Sequence, residues 1–191
     1  MHRLQKESIT ASSYLAWAAA ALAFIASTFE LLGPVAFWWF EQAATLESIL
    51  ETQRQVMPGL LSGPFSLSTF TLAILFLLDM VPATLISLAY CCAGAHFWML
   101  ANGNAWTARN IRLIWLGGIL CFCTPLAQFI VNLLQSLALS IEVSKTGHEV
   151  GFLVDISSIT FSQLVLGLLL CAFSRLMRKT QALSEENARY I

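Results

Sequence analysis

The chain has 191 residues and a formal net charge of −1, with 58% of its residues hydrophobic and 11% charged. Soluble globular domains carry about 25% charged residues, so this composition excludes an ordinary water-soluble fold and implies an integral membrane protein. The near-balanced total conceals an uneven distribution of the two signs along the chain.

A helix needs about 20 apolar residues to cross a hydrocarbon core at 1.5 Å per residue. Four stretches meet that length: 12–40, 68–101, 113–141 and 153–176, separated by segments 41–64, 102–112 and 142–151 and followed by a tail 177–191. The start Met-His-Arg-Leu-Gln-Lys imitates a signal peptide. The apolar run behind it is too long for a signal core and lacks a small-residue cleavage site, so the first span is expected to be retained.

The positive-inside rule orients the spans. With the first segment in the cytoplasm, Arg3, Lys6, Arg109, Arg112, Arg175, Arg178, Lys179 and Arg189 fall inside, and Arg54 and Lys145 outside. Glu41, Glu47, Glu51, Glu142 and Glu149 take the outer loops, and Glu30, Asp79 and Asp155 the outer ends of spans. The outer face is therefore acidic and the inner face basic. Tyr14, Trp17, Trp98, Trp106 and Trp115 near the inner boundary, with Trp38 and Trp39 near the outer, read as interfacial belts.

Glu30 in span one and Asp79 in span two come out at a similar depth to Asn132 and Asp155 in spans three and four. Gln128, Asn132 and Gln135 share one helical face at i, i+4 and i+7. Polar groups in a span usually point into the bundle. Glu30, Asp79, Gln128, Asn132, Gln135 and Asp155 thus form a candidate outward-facing polar vestibule, against the plainer reading that the carboxylates sit at the headgroups. Pro82 and Pro125 lie beside these residues, where each removes a backbone donor and bends its helix. In segment 41–64, Leu46, Ile49, Leu50 and Met57 form an apolar stripe with Glu47, Glu51 and Arg54 off it. A short amphipathic helix lying on the outer surface is expected there.

Two matching strings punctuate the inner face. Phe97-Trp98-Met99-Leu100 leads to Trp106-Thr107-Ala108-Arg109-Asn110-Ile111-Arg112, and Phe173-Ser174-Arg175-Leu176 leads to Leu183-Ser184-Glu185-Glu186-Asn187-Ala188-Arg189. Thr107 and Ser184 stand where an N-cap would start a new helix, with Asn110 and Asn187 at the capping-box position. The repeat suggests two tandem hairpins. Thr107, Arg109, Asn110, Arg112, Ser184, Glu186, Asn187 and Arg189 are candidate capping or docking residues on the cytoplasmic face.

Patterns for chemistry fail one by one. His148-Glu149 opens like a zinc-protease motif, but no histidine follows at i+4. Glu185-Glu186-Asn187-Ala188-Arg189 is one residue short of the glutamate pair and arginine of intramembrane prenyl-protein proteases and lies in a tail. Nucleophile elbows, P-loops and dinucleotide fingerprints do not occur. Cys91, Cys92, Cys121, Cys123 and Cys171 all fall within spans, so no disulfide framework is expected, and they read as small apolar residues more readily than as soft metal ligands. His96 reads as a packed or interfacial histidine.

The string Asn102-Gly103-Asn104-Ala105-Trp106-Thr107-Ala108-Arg109-Asn110, a following span, and the terminal Leu183-Ser184-Glu185-Glu186-Asn187 resemble the G-x-x-F-T-x-x-N and G-x-x-L-x-x-E signatures of a bacterial four-span family, domain of unknown function number twenty-nine seventy-five. Trp106 stands where that family has Phe, and Lys179-Thr180-Gln181 lacks its second glycine. The resemblance implies a bacterial inner-membrane protein, in a family without an assigned activity, some of whose members are encoded beside a small helix-turn-helix regulator.

The expectation is an all-α, integral membrane four-helix bundle of two tandem transmembrane hairpins related by a pseudo-twofold axis along the membrane normal. It is expected to be non-enzymatic, without cofactor or metal, and to act through a partner or by sensing envelope conditions. The alternative is a small transporter or channel subunit that draws a cation through the acidic vestibule. The lipid bilayer, a cytoplasmic or membrane protein and a second copy of the chain are the expected partners; nucleic acid is not.

Overall fold

Long apolar runs broken only by isolated prolines make four long helices. A computed structural model describes residues 2–41, 47, 51, 68–104, 107–144 and 158–187, without the side chains of 2–12, 142–144, 158–160, 184, 185 and 187. The helices are α1 (His2–Phe40), α2 (Thr69–Ala101), α3 (Ala108–Ser144) and α4 (Ser158–Asn187). Each contains a stretch long and apolar enough to cross a membrane: Ser13–Phe40, Thr69–Ala101, Ala108–Ile141 and Phe161–Leu183. The chain is an all-α, multi-pass membrane bundle. Pro34, Pro82 and Pro125 are all accommodated inside helices, as happens where neighbouring helices share the backbone's polar groups.

Two boundaries differ from the expectation. Segment 102–112 is shorter than expected, because Ala108–Arg112 already belongs to α3. At the other end, α4 passes through Ser184 to Asn187 without interruption. Ser184 therefore does not cap a new helix, and the second string is the last turns of a span. The physical difference is glycine. After α2, Gly103 adopts φ 77, and Gly103 N–H and Asn104 N–H donate to Leu100 O at 3.0 Å and Met99 O at 2.9 Å. This Schellman closure needs a left-handed residue, and Lys179-Thr180-Gln181 supplies none. The outer amphipathic helix expected over 41–64 lies outside the described residues except at Glu41, Glu47 and Glu51.

Successive helices run antiparallel. Ser13 Oγ donates to Ala101 O at 3.1 Å, Ser27 and Ser87 exchange hydroxyl-to-carbonyl bonds at 2.9 and 2.8 Å, and Trp38 reaches Asp79. Trp17 and Trp98 pack edge to face with centroids 4.6 Å apart. Extensive packing joins α1 to α2, α2 to α3 and α3 to α4. Among the described residues, each terminal helix therefore packs extensively against one neighbour. Within the apolar window of each span, 17% of residues are buried in α1 and in α4, against 22% in α2 and 33% in α3.

Lipid removes the hydrophobic drive between helices, so close approach and interhelical hydrogen bonds hold them. Every interface has small residues at its crossing. A β-carbon on Gly94 would meet the Phe24 ring at 3.0 Å, and one on Gly167 would meet Phe122 N at 2.7 Å and Gly118 O at 2.8 Å. Gly117 lies where a β-carbon would touch Cys92 Cβ at 3.4 Å.

Candidate functional site

At the end opposite the 102–107 connector, one carboxylate joins three helices. Asp79 lies ten residues into α2, ~15 Å along its axis. Its Oδ2 accepts from Trp38 Nε1 of α1 at 2.8 Å, and its Oδ1 accepts from Gln135 Nε2 of α3 at 2.7 Å. Trp38, Leu75 and Leu139 form the surrounding apolar cluster, with Leu72 and Phe76 packed against it. A carboxylate in such surroundings requires donors, because a desolvated charge without them is costly. Trp38 is 9% exposed and Trp39 81%. Trp38 is thus no belt residue: it is an internal donor, turned inward by its place on the buried stripe of α1 with Ala16, Ala20 and Ser27.

The structure brings together only part of the expected vestibule. Asp79 and Gln135 meet. Gln128 Nε2 donates to Asn132 Oδ1 at 2.9 Å, one turn away on the same helix, and Gln128 is exposed. Glu30 is exposed on α1, about 60° round the helix from Ser27 at 100° per residue, so it stands at the flank of the seam that holds Trp38. Asp155 lies outside the described residues. A cavity of about 430 Å³ at this end is lined by apolar residues of α2 and α3 together with Ser68 and Thr71, and by none of the six vestibule residues. Among the described residues, no buried side-chain nitrogen or oxygen lacks a hydrogen-bond partner.

At the connector end, Thr107 caps α3: its hydroxyl accepts from Asn110 N–H at 3.3 Å. Asn110 is 0% exposed, and its Oδ1 lies 2.8 Å from His96 Nδ1 of α2. Asn110 is therefore an internal tie between helices, buried beside Ile111, and cannot contact a docked partner. His96, expected as a packed or interfacial histidine, also makes this bond, and the signal for it is a polar side chain five residues before the end of α2, facing one in the first turn of α3. Beneath it Ile111, Ile114 and Met177 form a second apolar cluster. Around this framework Arg109, Arg112, Arg175, Arg178, Lys179 and Glu186 are exposed. Asn187 and Ser184 lie in the last turns of α4, and Arg189 lies outside the described residues.

All five cysteines are free thiols. Cys91 Sγ sits 3.0 Å from Ser27 Oγ, and no three His, Cys, Asp or Glu side chains converge as a metal set among the described residues. Comparison with family models, with curated proteins and with solved structures finds no match.

Proposed function

We propose that the chain is a non-enzymatic membrane protein that acts through a protein partner docked on its connector end, with that end in the cytoplasm of a bacterial cell. The observation that carries this reading is the set of exposed cationic residues Arg109, Arg112, Arg175, Arg178 and Lys179, gathered at one end of the bundle from α3 and α4. Buried Asn110, bonded to His96, ties α3 to α2 directly beneath. A fixed cationic surface selects an acidic partner and steers its approach. The orientation rests on the eight-to-two distribution of Lys and Arg in the sequence, and the bacterial inner membrane on the resemblance of the Asn102–Asn110 string.

Site-specific photo-crosslinking in native membranes from positions 112 and 178 tests it. A discrete crosslinked partner, lost on Arg112→Glu together with Arg178→Glu, is the expected result. Crosslinks to lipid alone from both positions, unchanged by the charge reversals, overturn it.

The transport reading keeps one specific support, the carboxylate of Asp79 within a span and bonded to two other helices. Cation flux in liposomes that disappears with Asp79→Asn would move that reading first; equal flux in empty and loaded liposomes removes it.

A further inference from the structure

A groove of about 250 Å³ is lined by α2, α3 and α4. Its α2 wall runs from Ile86 to His96, ten residue steps or ~15 Å of helical rise. The hydrocarbon core is about 30 Å thick, so the groove has the depth of one leaflet, and its His96 end lies toward the connector.

Its shape and charge narrow the occupant. A second helix enters such a groove with only one ridge of its side chains, whereas a single extended chain lies along its whole ~15 Å. The floor on α3 is Leu113, Gly117 and Cys121, one i, i+4 row. The same row continues one turn outward to Arg109, which is exposed. The polar mouth is built: His96 lines it and is fixed by the fully buried Asn110. No Asp or Glu lines the groove. Gln163 of α4 adds an amide at the end away from His96, and the rest of the lining is mainly apolar; a cation at the mouth of such a slot, one leaflet deep, matches an anionic headgroup over an acyl chain.

We infer that this groove holds one acyl chain of an anionic phospholipid from the connector-end leaflet, with the phosphate at Arg109 and the chain along Leu113, Gly117 and Cys121. The site shares Arg109 with the cationic surface of the partner reading above, but its groove residues belong to no part of that surface. It requires no partner, and it places a bound lipid against the α3–α4 crossing at Gly118 and Gly167.

Native mass spectrometry of the full-length protein, released from detergent after incubation with equimolar phosphatidylglycerol and phosphatidylcholine of matched chains, tests it. The expected result is one phosphatidylglycerol per chain, retained at least fivefold over phosphatidylcholine. Arg109→Ala should bring that ratio close to one, and Ala93→Leu, which pushes a larger side chain into the groove, should lower total lipid retention at least fivefold. If Ala93→Leu loses its helical circular dichroism, Gly117→Ala, whose new methyl would make only ordinary contact with Cys92, should lower retention about twofold. Equal retention of both lipids by the native chain overturns the inference. So does a loss with Arg109→Ala while the groove-filling variants keep their lipid, because headgroups would then be attracted to an open surface. A dimer that forms in place of the lipid complex also overturns it, by giving the groove to a second copy.

Discussion

Trp38 stands two residues from the end of α1, where an indole ordinarily anchors the interface, yet it donates inward to Asp79. Hydrogen bonds to a charged group contribute about 1.5–3 kcal/mol, so Trp38→Phe, which keeps a six-membered aromatic ring but deletes the N–H and the pyrrole half of the indole, should destabilise the bundle by at least an amount of that order. Reversible unfolding in mixed micelles with increasing anionic detergent measures it. A change within about 0.5 kcal/mol, the range of ordinary surface substitutions, would return Trp38 to the belt. Gln135→Leu deletes the other donor, and the two changes share one carboxylate. They should therefore couple in a double-mutant cycle. The depth of Asp79 and the helical face of Gln135 were legible in the sequence, because both follow from counting residues at a known rise. The inward turn of Trp38 was not. It depends on which face of α1 meets α2, and α1 is apolar nearly all round, so periodicity carries no phase. The small-residue stripe Ala16, Ala20, Ser27 held that information, since small residues mark the face where membrane helices approach, and Trp38 extends it.

The same reasoning applies to whole helices. Existence and rough extent of the four spans follow from length and apolarity alone, and these agree with the helices observed. The ends do not, because an end is decided by local chemistry. Gly103 closes α2, whereas Lys179-Thr180-Gln181 has no such glycine and α4 runs on to Asn187, so two strings that read alike lead to different structures. Gly103→Ala should cost about 1–2 kcal/mol, the penalty of a left-handed alanine. The close crossing of α3 and α4 makes a sharper prediction. A β-carbon on Gly167 would collide with backbone atoms at 2.7 and 2.8 Å, and backbone cannot swing aside, so Gly167→Ala must part the two helices. Gly33 has nothing within 4 Å of the same position, and Gly33→Ala should be neutral or gain up to about 1 kcal/mol of helix propensity. Detergent unfolding of the pair checks this. Equal behaviour of the two alanines would mean that α3 and α4 do not cross at Gly167.

For the whole molecule, the serial packing of α1 to α4 and the segregation of charge produce one prediction about water. Among the described residues, Asp79 and Glu30 are not brought together: Asp79 is engaged by Trp38 and Gln135, while Glu30 is exposed on α1. Water beside Asp79 is the property that distinguishes a vestibule from a clamp between helices. Single cysteines in a cysteine-free chain, probed in intact cells with a membrane-impermeant thiol reagent, read both the sidedness and the wetness. Glu41→Cys, exposed at the end of α1, should label from outside. Asn104→Cys, exposed in the connector, should label only after permeabilisation, and the reverse pattern would invert the assigned orientation. Gln135→Cys, buried beside Asp79, should stay unlabelled on both sides. Its labelling from outside, blocked by a particular cation, would mean that the bonds around Asp79 open to admit solvent, and the carboxylate would then serve as an entry site instead of a clamp between helices.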